Sequence, residues 1–278
     1  MSRKFLDDHI QLLDKLTRLP SSNSTAYDRG HTFRDSIDGT VYTNVGTREG
    51  AIYENFPANR YKLVETFQRN VAANASIGVA ANLDFELLGT DAASGTAALS
   101  TGGGVSLTTD SDDGDQMIIA PHLDAGQTAW TTADWNTNDR VVYEATISTV
   151  GSVADMIVWV GLKLTNASAV ATDDNQFFVR YEDSVNSGQF QVITSRAGTD
   201  TTTNTDLAMA INSNYHIVLV IDGDRIPHVF INGNKYASGL SALTANIDLI
   251  PYIGVETDTT AAKVLRVRGC AISKDYND

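Results

Sequence analysis

The sequence predicts an all-β protein: a two-sheet antiparallel sandwich preceded by an N-terminal helix and an extended arm. Three observations carry this expectation. Short runs that are apolar, or that alternate apolar and polar, recur from about Leu63 to Ile272. Turn-forming clusters separate them, at Gly151-Ser152, Asn186-Ser187-Gly188, Asp222-Gly223-Asp224 and Asn232-Gly233-Asn234. Only residues 3–19 show a sustained helical period.

In that first segment Phe5, Leu6, Ile10, Leu12, Leu13, Leu16 and Leu19 form one broad apolar stripe. Ser2 caps the start, Asp7 and Asp8 suit the positive end of the helix dipole, Lys15 and Arg18 suit the negative end, and Pro20 stops the helix. An isolated helix of this length is marginal in water, so the stripe must pack on its own sandwich, on a partner or on copies of itself. Residues 21–62 are polar and show no sustained period. Ser21 to Thr25 reads as a linker, after which single aromatics recur at Tyr27, Phe33, Tyr42, Tyr53, Phe56 and Tyr61. A disordered tail holds fewer aromatics, and spaced aromatics anchor an extended segment on a neighbour at low entropic cost. The segment therefore reads as an arm that orders on assembly, the alternative being ordinary surface loops. The candidate partner-binding residues are Phe5, Leu6, Ile10, Leu13 and Leu16 of the helix and Tyr27, Phe33, Tyr42, Tyr53 and Phe56 of the arm. The expected division is residues 1–62 for docking and 63–278 for the sandwich.

Within the sandwich the expected strands are Leu83–Leu88, Val105–Thr108, Met117–Ala120, Val141–Val150, Met156–Leu164, Gln176–Glu182, Phe190–Ser195, Tyr215–Asp222, Pro227–Ile231 and Val264–Ile272. Gly102-Gly103-Gly104 reads as a hairpin turn, because no Lys-Ser/Thr pair or helix follows to make a phosphate cradle.

The 278-residue chain is long enough to bury a substantial core without disulfides or metals. Its net charge of −14 is unevenly spread. Residues 1–69 hold ten basic and nine acidic side chains, whereas residues 70–278 hold ten and twenty-five. The acidic body argues against nucleic acid or an anionic membrane as partner. No run is long enough to span a membrane as a helix, and the N-terminus lacks the apolar core of a signal peptide. The single cysteine, Cys270, reads as a small core residue.

No cofactor is expected. The densest acidic cluster, Asp110, Asp112, Asp113 and Asp115 around Gly114, has the oxygen-rich character that suits calcium, but its spacing does not match an EF-hand loop and an acidic turn is the simpler account. The five histidines show no metal-ligand spacing, and no Gly-x-Ser-x-Gly elbow is present. Trp130 and Trp135 flank a polar loop and are candidates to stack on sugar rings, the alternative being a structural plug at one end of the sandwich. Trp159 lies in an apolar run and reads as core.

The order Val142-Tyr143-Glu144-Ala145, Trp159-Val160-Gly161-Leu162, Phe177-Phe178-Val179-Arg180-Tyr181, His216 to Asp222, His228-Val229-Phe230-Ile231-Asn232-Gly233 and Leu249-Ile250-Pro251-Tyr252-Ile253-Gly254-Val255 resembles the concanavalin A-like lectin/glucanase (laminin-G-like) jelly roll, over roughly residues 65–278. The Phe-Ile-Asn-Gly hairpin followed by Leu-x-Pro-x-Ile-x-Val is similar to such modules in structural proteins of tailed bacteriophages. Sandwich-type glucanases carry Glu-x-Asp-x-Glu on one strand, and this chain has no such strand, so the resemblance implies a non-enzymatic role. It implies a virion structural protein, a capsid decoration or head-fibre protein at the capsid surface. The major capsid protein or another virion protein would be its partner, and a homo-oligomer, a trimer, its assembly. The alternative is a carbohydrate-binding tail or fibre adhesin that recognises host glycans.

Overall fold

A computed structural model describes residues 32–34, 41–44, 53–56, 60–67, 85–121, 129–165, 173–237 and 239–275. The chain divides into two compact units, residues 1–61 and 62–278.

In the first unit, β1 (Thr32–Arg34), β2 (Val41–Asn44) and β3 (Tyr53–Phe56) form an antiparallel three-stranded sheet in that order. The register sets Phe33 opposite Tyr42, Val41 opposite Phe56 and Asn44 opposite Tyr53. Four of the aromatics expected in the arm, Phe33, Tyr42, Tyr53 and Phe56, lie in these paired strands. Strands of three or four residues are too short to establish a period in sequence, which is why they read as unpatterned. The expected helix, with Phe5, Leu6, Ile10, Leu13 and Leu16, lies outside the described residues, as does Tyr27.

The second unit is the sandwich, a concanavalin A-like jelly roll of two antiparallel sheets. Its elements are β4 (Arg60–Glu65, entering the unit at Lys62), β5 (Phe85–Leu88), β6 (Thr96–Leu99), β7 (Val105–Thr108), β8 (Gln116–Pro121), α1 (Ala129–Thr132), β9 (Val142–Thr149), β10 (Met156–Lys163), β11 (Gln176–Glu182), β12 (Gln189–Arg196), β13 (Thr199–Ala208), β14 (Asn214–Ile221), β15 (Pro227–Ile231), β16 (Asn234–Tyr236), β17 (Ile250–Thr257) and β18 (Val264–Asp275). One sheet has the order β13-β12-β11-β10-β17-β8-β5. The other has the order β16-β15-β14-β9-β18-β7-β6, with β4 also paired to β18. The ten strands expected from sequence are all present. The short or polar β6, β13 and β16 carry no apolar alternation and were not expected.

The core lies between the sheets. Phe190 of β12 meets Tyr215 of β14 across the gap, with ring centroids 5.1 Å apart, and Tyr181 flanks it at 5.9 Å. Period-two alternation then places Val158, Val160, Leu162, Val192, Ile253 and Val255 inside on one sheet. Tyr143, Ile147, Ile217, Leu219, Leu265 and Val267 face them from the other. The two sheets differ on their outer faces. β14 alternates between buried and more exposed residues, as a one-sided strand does. β10, by contrast, is buried at seven of its eight positions. The middle of the seven-stranded sheet is therefore covered on both sides, and a near-continuous apolar run is the sequence signature of that arrangement.

The turns follow their residue chemistry. Asn232 and Gly233, at φ 51° and 79°, link β15 to β16 in the mirror-image turn that matches strand twist. The triple glycine closes the β6–β7 hairpin, where the Ser100 amide donates to the Gly104 carbonyl at 2.9 Å.

Candidate functional site

The structure settles several of the expected site residues. Trp130 and Trp135 are 4% and 1% exposed and offer no face to a sugar ring, so the stacking platform is corrected to the plug. The physical reason is local. α1 and the turn after it fold both indoles into the end of the sandwich, where Trp130 sits 4.9 Å from Phe85 and Phe85 sits 5.2 Å from Phe67. The Trp135 indole N–H donates to the Trp130 carbonyl at 2.9 Å, and the Trp135 carbonyl accepts from the Leu249 amide at 3.1 Å. The acidic cluster is likewise a turn. Asp115 is buried and its carboxylate accepts the Asp112 amide at 2.9 Å, while Asp110 accepts the Ser111 amide. Asp112 and Asp113 complete the same turn, and among the described residues no three His, Cys, Asp or Glu side chains gather to hold an ion.

Two other places bring functional groups together. The first is the outer face of the seven-stranded sheet. Strand register places Trp159, Phe178, Tyr252, Ile193, Ile118 and Ala120 on this face, where they form a second buried apolar cluster. Trp159 is thus buried as expected, but on the outside of its sheet rather than between the sheets. Phe178 and Tyr252 meet edge to face at 6.2 Å, which aromatic quadrupoles favour.

Polar groups border this cluster on two sides. On one side Arg180 donates to Gln191 at 2.7 Å, Gln191 donates to Asn204 at 2.7 Å, and Arg180 also pairs with Glu182 at 3.3 Å. Beyond Ile157 on the same row lies Glu256. Burial pushes its carboxyl above the usual range, opposed by a hydrogen bond from Gln116. On the other side Lys163, Gln176 and Ser195 share one cross-strand row, and all are buried. Burial lowers the Lys163 ammonium below its ordinary value, while Asp173, 3.9 Å away, acts in the opposite sense. The ammonium also lies 5.3 Å from the centre of the Tyr252 ring.

Two buried side chains in this region have polar atoms with no hydrogen-bond partner among the described residues: both amide atoms of Gln176 and the hydroxyl of Tyr252. Folded proteins pair more than nine in ten such groups, so these donors and acceptors call for an explanation. Sequence reasoning missed the whole face. Its signal was available in the apolar run Ile157 to Leu162 of β10, a strand buried at seven of its eight positions.

The second place is a cleft of about 310 Å³ on the outer face of the eight-stranded sheet. Glu144 of β9 lies at its centre, 2.9 Å from the Lys62 ammonium of β4 and 3.3 Å from the His216 ring of β14. The His216 hydrogen bond, and then Lys62, hold the Glu144 carboxyl down at about 2, against burial, which acts to raise it. His216 was expected as a satisfied sheet residue, and Glu144 as a carboxylate standing alone. The register of β9 on β14 sets Thr146 opposite His216 and Val218 opposite Glu144, bringing together residues 72 positions apart. Arg268 also lines the cleft, with its guanidinium engaged by the Ser148 hydroxyl and the Gly102 carbonyl, both at 2.6 Å. The cleft is thus an internally paired ionic surface.

No protein-family model matches the chain, and no curated protein matches it in sequence. Solved structures do match it. A protein of unknown function from Shewanella oneidensis MR-1 is similar at a TM-score of 0.55 and 12% identity, over 78% of this chain and 87% of that one. Alginate lyase A1-II′, of polysaccharide lyase family 7, is similar at 0.52 and 10% identity, over 70% and 96%. The β-glucanase of Bacillus licheniformis is similar at 0.50 and 10% identity, over 78% and 98%. At such identities the likeness establishes the concanavalin A-like sandwich. This fold hosts enzymes as well as other proteins, so the role of a given chain rests on its own residues.

Proposed function

We propose that this chain is a non-catalytic structural protein of a virus particle, a capsid decoration protein whose first unit attaches to the shell and whose sandwich is displayed. The observation that supports this reading is the division of the chain into a small unit near charge balance and an acidic sandwich. The small unit is the part that electrostatic repulsion would not keep from a second acidic surface. Many copies bound through weak contacts would be held by avidity. The test is a sandwich-only chain, Lys62–Asp278, mixed with purified shells. It should fold, with a cooperative urea transition, and should lose at least about tenfold in shell affinity relative to the full chain. Equal binding by both chains would end the attachment reading.

Gln176 carries a separate prediction. It is buried on the outer face of the seven-stranded sheet, and both of its amide atoms lack a partner among the described residues. A buried amide without a partner costs stability. Gln176→Leu is therefore expected to stabilise the sandwich by about 1–2 kcal/mol in urea unfolding. A lower denaturant midpoint for the variant would show that the amide is satisfied in the folded chain.

A further inference from the structure

The sandwich has strands at its sheet edges, and all but one are short or carry cations. Among the described residues, β5 and β6 have four residues each and β16 has three, while β4 carries Arg60 and Lys62. Short or charged edges are how sheet proteins avoid joining edge to edge. β13 is the exception. It runs for ten residues, Thr-Asp-Thr-Thr-Thr-Asn-Thr-Asp-Leu-Ala, contains no Pro, Lys or Arg, and forms one end of the seven-stranded sheet. From Thr199 to Asn204 every residue is exposed except Thr203, which is half-buried.

The direction of its free backbone groups follows from the hairpin that makes it. Ala197 and Gly198, at φ 47° and 79°, form a two-residue turn closed by the pair Arg196–Thr199. The closing pair of such a hairpin exchanges both backbone hydrogen bonds, and hydrogen-bonded pairs alternate along an antiparallel ladder. Thr199, Thr201 and Thr203 therefore turn their amides and carbonyls toward β12. Asp200, Thr202 and Asn204 turn theirs outward, away from the sheet.

We propose that β13 pairs antiparallel with β13 of a second copy of this chain, about a two-fold axis through Thr202. This joins the two seven-stranded sheets into one. The charges of the strand argue against the neighbouring register. Centring the dyad one residue later, at Thr203, would set Asp200 opposite Asp206, a like-charge pair that destabilises a ladder. Centring it on Thr202 sets Thr202 against Thr202, Thr201 against Thr203 and Asp200 against Asn204. Every facing pair is then neutral or of one charge with an amide, and Thr–Thr pairs are favourable. The outward-turned groups of Asp200, Thr202 and Asn204 meet their counterparts in this register and give about six backbone hydrogen bonds. The contact is isologous and closes on itself, so it yields dimers; the trimer expected from sequence would need a separate interface. The inference stands independently of capsid or glycan binding.

The experiment uses the full chain. Sedimentation between about 1 and 100 µM should show a monomer–dimer equilibrium for this contact. Thr202→Pro removes an outward amide that has no partner among the described residues, so the circular dichroism spectrum should be unchanged while dimer affinity falls at least about tenfold. Residues facing each other in a hydrogen-bonded pair have Cα atoms about 5.5 Å apart, within the span of a disulfide. Thr202→Cys should therefore cross-link two chains under mild oxidation, whereas Asp206→Cys, which lacks its own counterpart opposite, should not. The native Cys270 is buried and gives the background. A chain monomeric at 100 µM, a dimer indifferent to Thr202→Pro, or cross-linking as fast at position 206 as at 202 would each overturn the proposal.

Discussion

Trp135→Ala is expected to cost the sandwich about 3–5 kcal/mol, the range for deleting a fully buried large aromatic. The indole is 1% exposed and is held to α1 by its hydrogen bond to the Trp130 carbonyl. Alanine would leave a cavity bounded by Trp130 and the β-sheet ends, and the surroundings cannot collapse into it without moving α1. Trp135→Phe separates packing from hydrogen bonding. It keeps most of the ring volume but leaves the Trp130 carbonyl without the indole donor that now lies 2.9 Å away. The loss then should be about 1–2 kcal/mol. Urea unfolding at constant m-value reads both. A cost below about 1 kcal/mol for the alanine variant would show that the ring is not the plug. If Trp135 were instead a glycan platform, the same variant would lose binding at little cost in stability.

The misplacement of that tryptophan pair shows where sequence stops being informative. Thr131, Thr132 and Asp134 mark a solvent-facing loop, and Thr132 and Asp134 are exposed, yet the residues at the root of such a loop point into the fold. The strongly apolar strands β9 to β12, β14, β15 and β18 were legible because each offers at least one buried face. β13 was not, because a threonine edge has no apolar alternation to detect. The strands holding Phe33, Tyr42, Tyr53 and Phe56 were too short to declare themselves. The ionic surface at Glu144 depends on strand register between residues 62, 144 and 216, which no local pattern encodes. The outer face of the seven-stranded sheet was legible in principle. Phe-Phe-Val and Ile-Val-Trp-Val-Gly-Leu leave no polar side for water, and that observation alone requires a second buried layer.

Gly161 connects this layer to the stability of the whole sheet, and Gly161→Ala is expected to cost about 3 kcal/mol or more, at the upper end for overpacking a core. Gly161 pairs with Phe178 on one side and Tyr252 on the other. Those two strands are separated by β10, so their residues are about 10 Å apart across the sheet. The two rings nevertheless meet at 6.2 Å, which they do by leaning together over the one position between them that has no side chain. A Cβ there would lie 2.1 Å from the Phe178 Cβ and 2.6 Å from its Cα. The obstruction is backbone and backbone-proximal atoms rather than the flexible end of a side chain, so β11 itself must shift. Gly254→Ala is the internal comparison. Its added Cβ would meet Ile118 and Trp159 side-chain atoms at 2.9 Å, which rotamer adjustment can relieve, and the cost should be about 1–2 kcal/mol. Denaturant midpoints that rank the two substitutions in the opposite order would mean that the ring pair is not held over Gly161. In the expected order, the alanine at 161 forces Phe178 and Tyr252 apart. It should then also disturb the buried Tyr252 hydroxyl, which has no partner among the described residues, so that the substitution loses stability where Gln176→Leu gains it.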